Sequence, residues 1–170
     1  MAIRIAVTGP PGIGKSTLVQ KVAAKGVRVG GVLARDKRYK DRRNGFELLD
    51  LASGAVGILA DEQGKGPQLG KYRVHLDDLD QIGARAVEEA VNCDLIVVDE
   101  VGPMELSSRR FISAVEKAMA SPKPMLVVLH EWSNHRLAKK IRDNFQVITV
   151  TRENRDDLAN EIAKALWGRK

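Results

Sequence analysis

Apolar and polar positions alternate at the start of this chain and then change to helical spacing. Ile3, Ile5 and Val7 alternate with other residue types, which predicts a short strand. A glycine-rich turn follows. Residues 15–25 then carry apolar side chains at helical spacing and stop at Gly26, a suitable C-terminal cap. The first segment therefore predicts a strand, a glycine loop and a helix, in that order.

The next part of the chain favours short strands bounded by turn residues. A second strand is predicted at residues 27–34. An inserted β-hairpin follows, formed by residues 46–51 and 55–59 around Ser53 and Gly54. A loop at residues 64–70 then leads to a short strand at residues 72–76. Asp77 or Asp78 is a suitable N-terminal cap for a helix that continues to about Val91. This part predicts an antiparallel insertion.

Buried strands then alternate with amphipathic helices to the end of the chain. Residues 95–98 are uniformly apolar, as expected of a parallel strand covered on both faces. Ser107 or Ser108 is a suitable cap for the next helix, which Pro122 and Pro124 end. The remaining predicted elements are a strand at residues 125–130, a basic helix at residues 133–143, a strand at residues 147–150 and a helix at residues 155–167. This alternation predicts an α/β fold with a mostly parallel sheet, helices on both faces and the inserted hairpin.

Length and composition narrow the function classes. The 170 residues favour a single domain, 44% are hydrophobic and 29% are charged, which argues against disorder and against a fibrous repeat. No apolar run approaches the roughly 20 residues that cross a bilayer. The first residues lead directly into a motif at Gly9 and leave no room for a secretory signal. We therefore expect a cytoplasmic protein with no membrane partner, and Cys93 as the single cysteine excludes an intrachain disulfide.

The chain is basic, and its positive charge is concentrated in one segment. The net charge of +6 favours anionic partners such as nucleotides or nucleic acid. The basic segment, residues 35–43, contains Arg35, Lys37, Arg38, Lys40, Arg42 and Arg43. Three interpretations remain open: a solvated loop, a mobile loop that closes on a polyphosphate, and a nucleic-acid patch.

The glycine loop carries the strongest chemical signal. It reads Gly9, Pro10, Pro11, Gly12, Ile13, Gly14, Lys15, Ser16 and Thr17, and it matches the phosphate-binding pattern G-x-x-x-x-G-K-[ST] between a predicted strand and a predicted helix. Glycines let backbone N–H groups surround phosphate oxygens, and the helix N-terminus adds positive potential. We expect Lys15 to reach the β- and γ-phosphates as a catalytic residue, Ser16 to ligate Mg²⁺ and Thr17 to contact the α-phosphate. The predicted fold is thus a three-layer P-loop NTPase domain over residues 1–170.

A second signal lies at the end of the apolar strand at residues 95–98, where Asp99 and Glu100 follow directly. Ligands of open α/β sheets bind at that edge. Asp99 fits the role of holding Mg²⁺ through its water shell, and Glu100 is placed to orient or deprotonate an attacking water. The pair favours hydrolysis over simple binding and predicts an extra strand, at residues 125–130, beside the phosphate-loop strand. His130 at the end of that strand either senses the γ-phosphate or is a solvent-exposed strand terminus.

These motifs resemble a known family. Its marks here are residues 9–17, Asp99-Glu100-Val101-Gly102-Pro103-Met104-Glu105-Leu106, Asn154-Arg155, and Gly45-Phe46 followed by Gly70-Lys71-Tyr72. The chain is similar to the small P-loop nucleoside-triphosphatases first described in thermophiles, which are similar in turn to the human cancer-related nucleoside-triphosphatase. The resemblance implies slow Mg²⁺-dependent hydrolysis of ATP, GTP, CTP and UTP with broad base tolerance. The chain departs from the family's pattern after Gly31, where an aromatic residue and a threonine are absent.

Further residues are candidates for contact with the nucleotide. We expect Gly102 to permit a tight turn near the γ-phosphate, and Glu105 either to cap or pair structurally or to act chemically. Arg155 follows the last strand, where it can stack on or hydrogen-bond the base, or it is an exposed arginine beside a helix capped by Asn154.

Two other functions compete with hydrolysis. A small-molecule or nucleotide kinase would use Glu100 to activate an acceptor hydroxyl, and a nucleotide-gated RNA- or DNA-binding switch would use the basic segment. The switch is not favoured, because Tyr39 is the only aromatic residue in that segment and Trp132 and Trp167 are expected to be packing residues. The sequence leaves the oligomeric state open.

Overall fold

The computed structural model describes residues 2–25 and 28–168, so Gly26 and Val27, a predicted helix cap and strand start, lie outside the described residues. Within them, nine strands form one sheet in the order β5-β6-β4-β3-β2-β7-β8-β1-β9. The strands are β1 (Arg4–Thr8), β2 (Val29–Tyr39), β3 (Arg42–Asp50), β4 (Val56–Asp61), β5 (Gln68–Leu69), β6 (Tyr72–Val74), β7 (Leu95–Val101), β8 (Met125–Leu129) and β9 (Gln146–Thr149). The predicted extra strand is confirmed as β8, which lies between β7 and β1.

Helices cover both faces of the sheet. They are α1 (Lys15–Ala23), α2 (Leu76–Asp78) continuing through a π-helical turn (Leu79–Ala84) into α3 (Arg85–Glu89) and a 3₁₀ turn (Ala90–Asn92), a further 3₁₀ turn (Glu105–Ser107), α4 (Arg109–Ala120), α5 (Arg136–Asn144) and α6 (Arg155–Trp167). Ser108 caps α4, since its hydroxyl accepts the Phe111 N–H at 3.0 Å. The prediction that Asp77 or Asp78 caps the earlier helix is wrong, because that helix already begins at Leu76. No helix in the described ranges is long and apolar enough to cross a membrane.

The sheet has a parallel half and an antiparallel half. Strands β2, β7, β8, β1 and β9 pair in parallel, whereas β2, β3, β4, β6 and β5 pair antiparallel. The predicted α/β class is confirmed, with a more mixed sheet than predicted. The basic segment accounts for the difference, because it is a β-hairpin and not a loop. Lys40 and Asp41, with φ of 50° and 63°, form its tight turn, and Asp36 pairs with Arg38 and Arg43.

Two buried apolar clusters position the site edge. One includes Leu48, Ile96 and Phe111 and packs the helical run after β6, α4 and α5 onto one face of the sheet. The other includes Leu18 and Val97 and packs α1 and α6 onto the opposite face. Because β1, β2, β7 and β8 run in the same direction, their C-terminal ends meet at one edge, where open α/β sheets bind ligands.

Candidate active site

The phosphate loop connects β1 to α1 at this edge. Gly12 and Gly14 have φ of 79° and 109°, a conformation that other residue types rarely adopt. The Lys15 ammonium lies over the loop, where it donates to the carbonyl oxygens of Gly9 at 2.5 Å and Pro10 at 3.1 Å. A cavity of about 360 Å³ opens above the loop. Its lining residues are Pro11, Gly12, Gly14, Lys15, Ser16, Thr17 and Glu100. The loop and Glu100 therefore face the same space.

Asp99 lies at the end of β7, beside the start of α1. Its side chain is 2% exposed, and the Ser16 hydroxyl donates to it. The second carboxylate oxygen, Oδ2, is buried without a hydrogen-bond partner. Burial raises the pKa of Asp99 to about 7, with a further contribution from Glu100, against the opposing effects of Ser16 and Lys15. A buried oxygen without a partner beside a hydroxyl is a hard-donor set that fits Mg²⁺.

Glu100 occupies a bulge at the end of β7. Asp99 pairs with Val128 and Val101 with Leu129, so Glu100 is an extra residue between paired positions. A Cβ on Gly102 would lie 2.7 Å from the Glu100 Oε1. A side chain at position 102 would therefore displace the Glu100 carboxylate, whereas Gly102 is not among the glycines with positive φ. Burial raises the pKa of Glu100, whereas His130 and Lys15 lower it.

His130 directly follows β8 and faces Glu100. The backbone N–H of His130 donates to the Val101 carbonyl oxygen at 3.2 Å. The ring nitrogen Nδ1 is buried without a hydrogen-bond partner. The Arg142 guanidinium holds the loop after His130, because it donates to the carbonyl oxygens of Ser133 at 2.6 Å, His130 at 3.4 Å and Glu131 at 3.5 Å. The structure thus brings the predicted γ-phosphate contact beside the predicted water-activating group.

Glu105 lies behind Glu100 and is only 3% exposed. Its carboxyl group accepts the Gly102 N–H, and the Leu106 N–H donates to the Gly102 carbonyl oxygen at 2.9 Å. Burial, Glu100 and Asp99 raise the pKa of Glu105 well above its usual range. Of the two interpretations of Glu105, its position favours the structural one. Its carboxyl group stabilises the turn at Gly102, which packs against the Glu100 carboxylate.

Arg155 begins α6 and contacts the phosphate loop. Its guanidinium donates to the Ile13 carbonyl oxygen at 3.3 Å, and its Cδ would be 3.9 Å from a Cβ on Gly14. The Asn154 side chain accepts the Thr151 N–H at 2.8 Å and donates to the Thr149 carbonyl oxygen at 2.9 Å. Asn154 therefore ties the loop after β9 and makes no side-chain cap to α6. Arg155 remains exposed beside the loop.

A second cavity, also of about 360 Å³, lies on the other side of Glu100. It is lined by Ser16, Gln20, Ala34, Arg35, Asp36, Phe46, Asp99 and Glu100. Sequence reasoning missed Gln20, Asp36 and Phe46, although the basic segment next to β2 was a signal in this region. The expectation that Trp132 packs is wrong, since it is 81% exposed. Trp167 is half-buried and packs against the second apolar cluster.

Comparison with known proteins gives matches over nearly the whole chain. A family model described as NTPase matches residues 4–163. The chain is 52% identical to the nucleoside-triphosphatase THEP1 of Methanosarcina acetivorans, over 94% of each chain. It is 42% identical to that of Thermococcus kodakarensis, over 92% of this chain and 89% of the relative.

Two solved structures have the same fold. The crystal structure of THEP1 from the hyperthermophile Aquifex aeolicus matches with a TM-score of 0.84 at 29% identity, covering 98% of this chain and 99% of that one. The solution structure of a human cancer-related nucleoside triphosphatase matches with a TM-score of 0.82 at 30% identity, covering 99% of this chain and 100% of that one.

Proposed function

The chain belongs to the NTPase family together with the THEP1 proteins and is a nucleoside-triphosphatase, and from this premise we propose a Mg²⁺-dependent hydrolysis of nucleoside triphosphates to diphosphates and phosphate at the site around Glu100. The observation that carries the proposal is that the Glu100 carboxylate and the phosphate loop line one cavity, with Asp99 and Ser16 beside it. We take residues 1–170 as one P-loop domain.

The phosphate loop binds the triphosphate. Backbone N–H groups from Gly12 to Thr17 surround the phosphate oxygens, and the N-terminus of α1 adds positive potential. Lys15 exchanges its two loop carbonyl oxygens for oxygens of the β- and γ-phosphates. Because the ammonium already lies at the loop, this exchange needs only a small movement of the side chain.

Ser16 and the unpartnered Oδ2 of Asp99 are the protein groups that would hold Mg²⁺, directly or through water. When bound, the ion supplies positive charge to the phosphate oxygens and so favours cleavage of the anhydride bond. Glu100 accepts a proton from the attacking water, and His130 contacts the γ-phosphoryl group from the neighbouring strand. Gly102 leaves the space that this carboxylate needs.

Broad base tolerance and slow turnover complete the proposal. Phosphate contacts are the same for every nucleotide, and Arg155 offers a guanidinium plane that can stack on any base. ATP, GTP, CTP and UTP are therefore the expected substrates. P-loop enzymes that act without an arginine from a partner protein hydrolyse at about 10⁻⁴ to 10⁻² per second, and we expect turnover in that range.

The test is phosphate release from the four triphosphates with Mg²⁺. Glu100→Gln keeps the size of the side chain and removes its basicity, so turnover is expected to fall by about 10²-fold or more while binding of Mg²⁺–ATP is retained. Glu116→Gln is the matched control, because Glu116 pairs only with Arg136 and Lys140 on the surface of the described chain. Loss of ATP binding in Glu100→Gln would contradict the role in water activation.

The same assay tests the competing functions. Nucleosides, nucleotides and oligonucleotides are added one at a time to the wild-type protein. Hydrolysis that none of them changes supports a phosphohydrolase, whereas stimulation by a hydroxyl-bearing additive that becomes phosphorylated supports a kinase. Stimulation by an oligonucleotide without its phosphorylation supports the switch.

A further inference from the structure

Transfer of the γ-phosphoryl group spreads negative charge over its oxygens, and P-loop enzymes commonly place an arginine there. Among the residues that line the two cavities beside Glu100, the basic side chains in the described part of the chain are Lys15 and Arg35. Lys15 belongs to the phosphate loop. Arg35 lies on the opposite side of Glu100, in the same cavity as Ser16 and Asp99.

Strand register places Arg35 on the face of the sheet that carries the site. β2 and β7 are parallel, with Gly31 opposite Val97. Leu33 and Val97 both pack in the cluster beneath α1. Because side chains alternate along a strand, Arg35 and Asp99, each two residues further on, share that face. The Ser16 hydroxyl, which donates to Asp99, comes from α1 on the same face.

Arg35 also differs from Arg38 and Arg43 of the basic segment in its ion-pair partner. Arg38 and Arg43 pair with Asp36 inside the hairpin. Arg35 pairs across the strands with Glu47 at 3.6 Å, and its side chain is 47% exposed. An ion pair that is this exposed contributes little to stability. A phosphate group can therefore replace Glu47 as the ion-pair partner of the Arg35 guanidinium.

We propose that Arg35 is a catalytic residue supplied by the same chain, and that its guanidinium contacts the γ-phosphoryl oxygens in the transition state. The inference rests on the proposed function. The water oxygen forms the new bond to phosphorus, and Glu100 takes the water proton. The bond between the γ-phosphorus and the bridging oxygen breaks, and its electron pair stays on the β-phosphate. Arg35 exchanges no proton and lowers the energy of the charge that develops.

The test compares Arg35→Ala and Arg35→Lys with Arg42→Ala. Arg42 is the matched control, because it lies in the same hairpin, its removal changes the net charge equally and it does not line the cavity. A catalytic arginine in P-loop enzymes contributes about 10³- to 10⁵-fold to kcat, so kcat is expected to fall by about 10³-fold or more in Arg35→Ala. Arg35→Lys keeps the charge but loses the planar fork, and an intermediate kcat is expected.

Binding measurements separate a transition-state contact from a structural role. Arg35→Ala is expected to bind ADP as the wild type does and to bind ADP with aluminium fluoride, a transition-state analogue, more weakly by about 10³-fold or more. Unchanged kcat in Arg35→Ala, equal losses in Arg42→Ala, or equal losses of ADP and analogue binding would each overturn the inference. The proposed function is tested separately, since it fails if Glu100→Gln hydrolyses ATP as fast as the wild type.

Discussion

Two buried aspartates, Asp99 in the parallel half of the sheet and Asp61 in the antiparallel half, differ in their partners. Asp61 ends β4 and accepts hydrogen bonds from His75 Nε2 at 2.6 Å and the Gln63 N–H at 2.9 Å, with the Lys37 ammonium 3.6 Å away. Asp99 is equally buried, but its Oδ2 has no partner. Buried polar groups are normally hydrogen-bonded. The comparison teaches that a missing partner, and not burial, marks the carboxylate that is built to bind something.

The two carboxyl groups also have opposite electrostatics. Burial alone would raise the pKa of Asp61, but His75, Gln63 and Lys37 together lower it. Lys37 reaches Asp61 across Gly45, which lies between them in the register of β2, β3 and β4 and has no side chain. At Asp99 the effect of burial exceeds that of Ser16 and Lys15 and raises the pKa to about 7. The balance between burial and partners thus decides the sign of the shift.

The largest expected effect is that of Lys15→Ala, which removes the cation next to Asp99 and Glu100. Hydrolysis is expected to be abolished and triphosphate binding weakened, because the β- and γ-phosphates lose their charged contact. Phosphate release and titration with a fluorescent ATP analogue measure the two effects. Lys37→Ala is the matched control, since it removes the cation at Asp61, and it should hydrolyse ATP at the wild-type rate. Normal turnover in Lys15→Ala would rule out the phosphate-loop assignment.

A smaller effect, on stability, should separate the two aspartates directly. Asp61→Asn weakens charge-assisted hydrogen bonds, so the free energy of unfolding is expected to fall by about 1–3 kcal/mol with turnover unchanged. Asp99→Asn removes a buried charge that lacks a partner, so the metal-free protein should be at least as stable as the wild type while hydrolysis is lost. Urea unfolding in EDTA and phosphate release test both variants. If Asp99→Asn lost as much unfolding free energy as Asp61→Asn, the proposed difference between the two aspartates would be wrong.

The smallest effect lies in the pH dependence of stability in EDTA. The pKa of Asp99 is about 7 in the folded protein against an ordinary value of 3.8, so between these values the folded state holds a proton that the unfolded state has released. Stability from this group therefore falls as pH rises between about 4 and 7. The pKa of Asp61 is lowered, so its contribution is lost only as pH falls below about 4.

The measurement is the urea midpoint between pH 4.5 and 7.5. The difference between Asp99→Asn and the wild type should grow with pH across that range. Because Asp99→Asn is compared with the wild type, the contributions of groups that the substitution leaves unperturbed cancel to first order. Parallel profiles for Asp99→Asn and the wild type would show that Asp99 does not titrate in this range.

The parallel half of the fold could be predicted from sequence because its signals are local. The phosphate loop must stand between a strand and a helix, and the apolar residues of β7 lead directly to Asp99 and Glu100. Helix α6 begins and ends where its periodicity predicts, at Arg155 and Trp167. The positions of the phosphate loop and of Asp99 and Glu100 at the ends of their strands could therefore be predicted from spacing.

The rest depends on contacts that no local pattern contains. The charges of the basic segment favoured a loop or a nucleic-acid patch, but the antiparallel backbone pairing of β2 with β3 makes it a hairpin. Phe46 and Gln20 reach the cavity from a different strand and a helix, so only the sheet order brings them to Glu100. The role of Gly102 could not be predicted either, because it follows from the position of the Glu100 carboxylate and not from the glycine's own backbone angles.

The position of β1 has a consequence for how the protein is made. β1 pairs only with β8 and β9 in the described chain, and these strands end at Leu129 and Thr149. During synthesis, the strand that leads into the phosphate loop leaves the ribosome more than a hundred residues before its partner strands β8 and β9. Until β8 has emerged, β1 has no neighbouring strand in the described sheet to hold the loop. We therefore expect the ability to bind a triphosphate to be acquired only after β8 and β9 have been made.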